Sequence, residues 1–154
     1  MKILIIYATN SGGTYLASQI IAETLIGLNH QVIVKNATEA DHHELASYDL
    51  VIIGSNTWNF SKEEGLPHED IRKFLNKIAY SNLSLENKKF AVFALGDSSY
   101  MYFCGSADVL ETFLAEKKAN LPVSSLRVDG FFFHQVENTE KVKKWAGELS
   151  RKLA

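Results

Sequence analysis

The chain has 154 residues, 46% apolar and 22% charged, the balance of an ordinary folded domain with enough apolar mass for its own core. A net charge of −2 argues against a nucleic-acid binder, and no run approaches the ~18 apolar residues of a membrane-spanning helix. Cys104 is the only cysteine, so no intrachain disulfide can form; with a first apolar run that reads as a buried strand and not a signal peptide, this predicts a single domain, 1–154, in the cytoplasm.

In chain order, Ile3–Tyr7 is apolar at nearly every position, the mark of a strand covered on both faces. The polar segment Thr9–Thr14 follows, and then Leu16, Ile20, Ile21, Leu25 and Leu28 recur at helical spacing. A second strand is expected over Val32–Val34. His42 and His43 stand in a polar loop with no Cys or third His nearby, so no metal site is expected there. Leu50–Ile53 is the third strand. After a polar loop, Gly65-Leu66-Pro67 marks a turn and His68 a helix-start surface residue, with a place near a ligand rim as the alternative. Ile71, Phe74, Leu75 and Ile78 then form a helical stripe. Phe90–Leu95 is the fourth strand, and Val109, Leu110, Phe113 and Leu114 the next helix. A fifth strand is broken into Leu126–Val128 and Phe131–Phe133, and Val142, Trp145, Leu149 and Leu153 close the chain as a helix. Alternation of this kind specifies an α/β fold: one doubly wound five-stranded parallel sheet with helices on both faces.

In such a sheet, ligands bind beyond the carboxyl ends of the strands, where strand order reverses. Three loops fall there. Thr9-Asn10-Ser11-Gly12-Gly13-Thr14 pairs hydroxyl residues with glycines before a helix, where free N–H groups and the helix dipole favour an anion. It has no Lys and lacks both the nucleoside-triphosphate and the dinucleotide glycine patterns, which suits one phosphate monoester held by neutral donors. Asn56-Thr57-Trp58-Asn59-Phe60 sets an indole on a polar loop, suited to covering a flat apolar ring. Gly96-Asp97-Ser98-Ser99-Tyr100-Met101-Tyr102-Phe103-Cys104-Gly105 adds two tyrosines and a phenylalanine. Aromatic residues on separate loops at one end of a sheet suggest a stacking slot.

These three loops, and the chain over essentially its whole length, resemble the flavodoxins. The first loop is similar to the family's phosphate loop, the second to its Thr-Trp loop, and Gly96–Cys104 to its third flavin loop. The resemblance is to the short-chain branch, without the segment that interrupts the fifth strand of longer members. It implies strand order 2-1-3-4-5 and noncovalently bound FMN. It sets the phosphate on Thr9, Asn10, Ser11, Gly12, Gly13 and Thr14, with Asn56 and Thr57 beside them. It sets the flavin between Trp58 and Tyr100. Asn59 and Phe60 map to the backbone that meets its N5 edge, and Gly96, Asp97, Tyr102, Phe103 and Cys104 to the loop around its pyrimidine edge. Cys104 would act through its N–H, not its thiol. Gly13 stands where the family usually has Asn, and Asn56 where a hydroxyl residue is common.

The function so implied is a low-potential one-electron carrier, with a stable semiquinone and no catalytic residues or metal of its own. The alternative is an FMN-dependent NAD(P)H quinone or nitro reductase. A phosphoacceptor domain, which shares this strand order, needs an Asp at the end of the third strand and a Lys after the fifth. Here those places hold Gly54-Ser55-Asn56 and Phe131-Phe132-Phe133-His134. Residues 56–70 carry Lys62 against Glu63, Glu64, Glu69 and Asp70, and residues 97–111 carry Asp97, Asp108 and Glu111 with no cation. Each stretch is −3, whereas the final segment, 137–154, is +2. A monomer is expected to dock weakly, through this acidic rim, with a donor reductase and an acceptor enzyme.

Overall fold

A computed structural model describes residues 1–60 and 63–154, apart from the side chains of Asn59 and Phe60. Its parallel strands are β1 (Lys2–Ala8), β2 (Gln31–Asn36), β3 (Leu50–Phe60), β5 (Lys89–Gly96) and β6 (Leu126–Asp129). They lie in the order β2-β1-β3-β5-β6, with every neighbouring pair parallel, the expected 2-1-3-4-5 arrangement. One strand was not foreseen. β4 (Glu63–Pro67) runs antiparallel to the far end of β3, with Trp58 opposite Leu66. The Asn56–Phe60 segment, expected as a loop, is therefore the outer half of a long strand, and Gly65-Leu66-Pro67 is its partner.

Alternation along the strands divides the interior into two cores. Ile3, Ile5, Leu50, Ile52, Ala91 and Phe93 face one side, where α1 (Gly13–Gly27) and α4 (Gln135–Leu153) cover them. Leu4, Ile6, Val51, Ile53, Phe90 and Val92 face the other, beneath α2 (Glu69–Ala79) and α3 (Gly105–Glu116). Both faces are covered, which is why these strands read as unbroken apolar runs. The predicted stripes of α2 and α4 are buried residue for residue. That of α1 is only partly right. Leu16 and Leu28 are exposed, and the buried face is built instead on Gly13, Thr14, Ala17, Ser18, Ile21, Ala22 and Leu25. Small residues there let the helix sit close to the sheet.

The broken fifth strand needs correction as well. β6 ends at Asp129, and Phe131–Phe133 forms a turn leading into α4. Gly130, at φ +54°, reverses the chain between the two apolar runs.

Candidate functional site

A cleft of about 330 Å³ opens at the carboxyl ends of β1, β3 and β5. At one end β1 turns into α1. Gly12 occupies the cap position with φ +92°, a left-handed geometry that glycine takes without strain, and its N–H donates to Thr9 Oγ1 at 2.9 Å. No side chain caps α1, so the N–H groups of its first turn are free to meet an incoming acceptor. Two buried side-chain polar atoms among the described residues lack a hydrogen-bond partner: Thr14 Oγ1 and Asn56 Oδ1. Both residues line this cleft. Thr14 is 1% exposed, and a buried hydroxyl without a partner costs stability unless a ligand engages it.

The other end is aromatic. Trp58, on the outer half of β3, and Tyr100 and Tyr102, on the loop after β5, all line the cleft. They are 56%, 61% and 54% exposed, unusually open for rings of that size. The β3–β4 hairpin is pressed onto the third loop by bare backbone. A Cβ on Gly65 (φ +76°) would stand 2.6 Å from Tyr102 Cβ, and one on Gly105 2.7 Å from the Gly65 carbonyl oxygen. Thr57 and Ser106, the latter in the first turn of α3, tie β3 to the helix after that loop by a 2.8 Å hydroxyl pair.

Hydrogen bonds of its own hold the third loop. Asp97 Oδ1 accepts from the Ser99 hydroxyl and N–H at 2.6 and 2.9 Å, which keeps its carboxyl below the usual aspartate range. Cys104, at φ +50°, is fully buried and its Sγ donates to the Ala94 carbonyl. Burial pushes its thiol pKa up to about 11, so it stays protonated and unreactive at neutral pH. Arg127 on β6 closes the loop from behind: Nη1 donates to the Cys104 carbonyl at 3.0 Å and Nη2 to Asp108 at 2.7 Å, with Glu111 at 3.5 Å.

Of the residues expected at the site, Thr9, Asn10, Ser11, Gly13, Thr14, Asn56, Thr57, Trp58, Gly96, Asp97, Tyr100 and Tyr102 line the cleft together. Gly12, Phe103 and Cys104 do not: Gly12 shapes the turn, Phe103 packs against the core beneath α2 and α3, and Cys104 begins α3. The backbones of Asn59 and Phe60 lie in β3, while their side chains, with Ser61 and Lys62, fall outside the described residues. Sequence reasoning missed Glu64 and Gly65 as lining residues, and also Leu95, Phe131 and Phe132. His68 caps α2, its Nδ1 accepting from the Asp70 N–H at 3.0 Å, and it lies outside the cleft lining. Asp41, His42 and His43 bring their polar atoms within 4.8 Å of one another, but Asp41 is already the capping residue of the 3₁₀ turn His42–Ser47. No helix among the described residues is long and apolar enough to cross a membrane.

The arrangement suits a ligand with an anionic end and a flat aromatic end. The open helix start and Thr14 could hold an anion, and the exposed rings of Trp58 and Tyr100, both on the cleft wall, could cover a planar group. FMN has this form, and the donors present suit it.

The family model for flavodoxin matches residues 5–145. A flavodoxin of Maridesulfovibrio salexigens is 35% identical over 153 residues, 99% of each chain. The crystal structure of oxidised Flavodoxin 2 from Bacillus cereus superposes with a TM-score of 0.87 at 31% identity, over 99% of each chain. The chain is also 33% identical over 117 residues to the sulfite reductase [NADPH] flavoprotein alpha-component of Salmonella paratyphi A, covering 74% of this chain and 18% of that protein. Matched nearly end to end by relatives in sequence and in solved structure, and carrying the cleft just described, the chain belongs to the flavodoxin family, the FMN-binding electron carriers.

Proposed function

We propose that this chain is a low-potential, one-electron carrier, with FMN held noncovalently along the cleft from Thr14 to Trp58 and Tyr100. Thr14 Oγ1, buried and unpartnered at an uncapped helix start, carries the reading: it needs an acceptor, and phosphate supplies one. When bound, FMN accepts and returns electrons; everything else belongs to the chain.

Thr9, Ser11, Thr14 and the first N–H groups of α1 would hold the phosphate. The Asn56 amide, whose Oδ1 is also unpartnered, can accept from an O–H or, turned over, donate to an anion. Trp58 and Tyr100 would shield the ring from water on its two sides. The backbone of β3 after Trp58 would lie along the edge of that ring, where a carbonyl oxygen could accept a hydrogen bond from it. Glu64 and Asp97 line the cleft, and among its described lining there is no Lys or Arg. Added negative charge there meets repulsion and no partner, which lowers the potential of the bound cofactor.

The carrier would work as a monomeric domain in the cytoplasm. It would dock weakly, through the acidic residues around the cleft, with a reductase that supplies electrons and an enzyme that takes them. The alternative as an NAD(P)H quinone or nitro reductase is not favoured by relatives that are flavodoxins over their whole length. The purified protein, titrated stepwise with reductant, is expected to be yellow, to turn blue at half reduction, and to show two separate potentials. A single two-electron step would refute one-electron transfer, and a colourless protein that takes up no FMN would refute the cofactor.

A further inference from the structure

The cleft has a fourth wall that no motif marks. Phe131 and Phe132 line it from the turn between β6 and α4. That turn is fixed at several points. The Gly130 N–H donates to the Gly96 carbonyl at 3.0 Å, and Asp129 Oδ1 accepts from the Ser98 N–H at 2.9 Å. The side-chain amide of Asn138, a residue 7% exposed, donates to the Asp129 and Gly130 carbonyls at 3.0 and 3.3 Å. Phe131 is 4% exposed and anchored in the core beneath α1 and α4, and Phe132 meets it edge-on with ring centroids 5.4 Å apart. The turn is therefore built to hold the Phe132 ring in place, although that ring is 48% exposed.

What the ring faces is the phosphate loop. A Cβ added to Gly13 would lie 3.3 Å from Phe132 Cε2 and 3.0 Å from Leu95 Cδ2. Gly13, Leu95 and Phe132 thus meet as one apolar wall at the start of α1, and Leu95 and the ring together crowd the room a side chain at position 13 would need. We propose that Phe132 is a cofactor-positioning residue that closes the phosphate end of the cleft over Gly13, and that the ring and Leu95 together keep position 13 bare. The inference rests on the FMN reading above. An apolar ring at that point keeps water from the helix start, where hydrogen bonds to an anion gain strength from a drier surrounding. It also offers an apolar surface to the carbon chain that must leave the phosphate loop.

The test is a double-mutant cycle read by quenching of flavin fluorescence when FMN is added to the apoprotein. Wild type, F132A, G13A and G13A/F132A are compared, with F132L as the conservative variant and F133A as a neighbour that does not line the cleft. F132A is expected to weaken FMN about tenfold, the loss of one aromatic wall, with F132L recovering most of that and F133A unchanged. G13A should cost several-fold in wild type, because its methyl pushes against the ring and Leu95, and clearly less once the ring is gone. Apoprotein melting temperatures of F132A and wild type should agree closely, since the ring is half exposed. Unchanged FMN affinity in F132A, an equal loss in F133A, or the same G13A penalty in both backgrounds would each overturn the proposal. Failure of the wild type itself to bind FMN would instead overturn the cofactor reading.

Discussion

Thr14 shows how a single residue records a missing partner. Folding buries its hydroxyl to 1% exposure inside the first turn of α1 and gives it nothing to bond. Packing alone would be better served by valine, which has the same shape and no desolvation cost. Thr14→Val is therefore expected to leave the apoprotein as stable as wild type or slightly more stable. It should weaken FMN by roughly tenfold, the scale of one hydrogen bond to a charged group. Riboflavin, which has the ring but no phosphate, should bind both proteins alike. Equal losses for the two ligands would show that Thr14 does not meet the phosphate. The place of this residue in a loop suited to an anion was legible in the sequence, from hydroxyls and glycines between a buried strand and a helix; its burial without a partner was not. Nor was Phe132. Its sequence neighbours are also phenylalanines, and what makes it a wall is a glycine far away in sequence, visible only once α1 and β6 share a face.

At the scale of elements, the errors have one physical source. Sequence periodicity reports the faces an element buries but not the partner that pairs with it. Phe131–Phe133 is aromatic and strand-favouring, yet Gly130 and the Asn138 amide, from inside α4, turn it away from the sheet. The polar end of β3 lacks a strand pattern, yet β4 pairs with it and extends it to Phe60. The same kind of long-range tie sets the third loop. Asp129 at the end of β6 accepts from the Ser98 N–H, and the Ser98 side chain together with that N–H holds its carboxyl below the ordinary aspartate value. A carboxyl whose pKa is lower in the folded chain than in the unfolded one stabilises the fold above the unfolded value, about 3.9, and that contribution is lost as pH falls through the folded value. D129N should therefore melt below wild type at neutral pH, and the gap should close as pH falls from about 4 toward the lower folded value. Asp97, lowered in the same direction by Ser99, is present in both proteins and largely drops out of the difference. A gap that is constant from neutral pH into this acid range would mean that the Asp129 charge does not support the loop.

For the whole molecule, the parallel alternation of strand and helix was enough to point to the carboxyl ends of the strands, where the cleft lies, because every crossover returns the chain so that strand ends gather there. Electrostatics there were less legible. Counted along the sequence, both flavin loops are equally acidic, but space changes the balance: Arg127, from β6, stands against Asp108 and Glu111. Glu63 and Glu64, exposed on β4, have no such neighbour among the described ion pairs. If partners are drawn to an acidic rim, Glu63 and Glu64, which no described cation meets, are the carboxylates expected to steer them. Electron transfer to a small basic haem protein should then slow as ionic strength rises from about 10 mM to about 150 mM, over which the Debye length falls from ~30 to ~8 Å. The hairpin variant E63Q/E64Q should flatten that salt dependence markedly. D108N/E111Q, which removes charges already offset by Arg127 and leaves that cation uncovered, should change it much less. Stopped-flow rates across this salt range separate the two. If both double variants flatten the slope equally, the rim attracts partners as a uniform field, and the hairpin does not set how they approach.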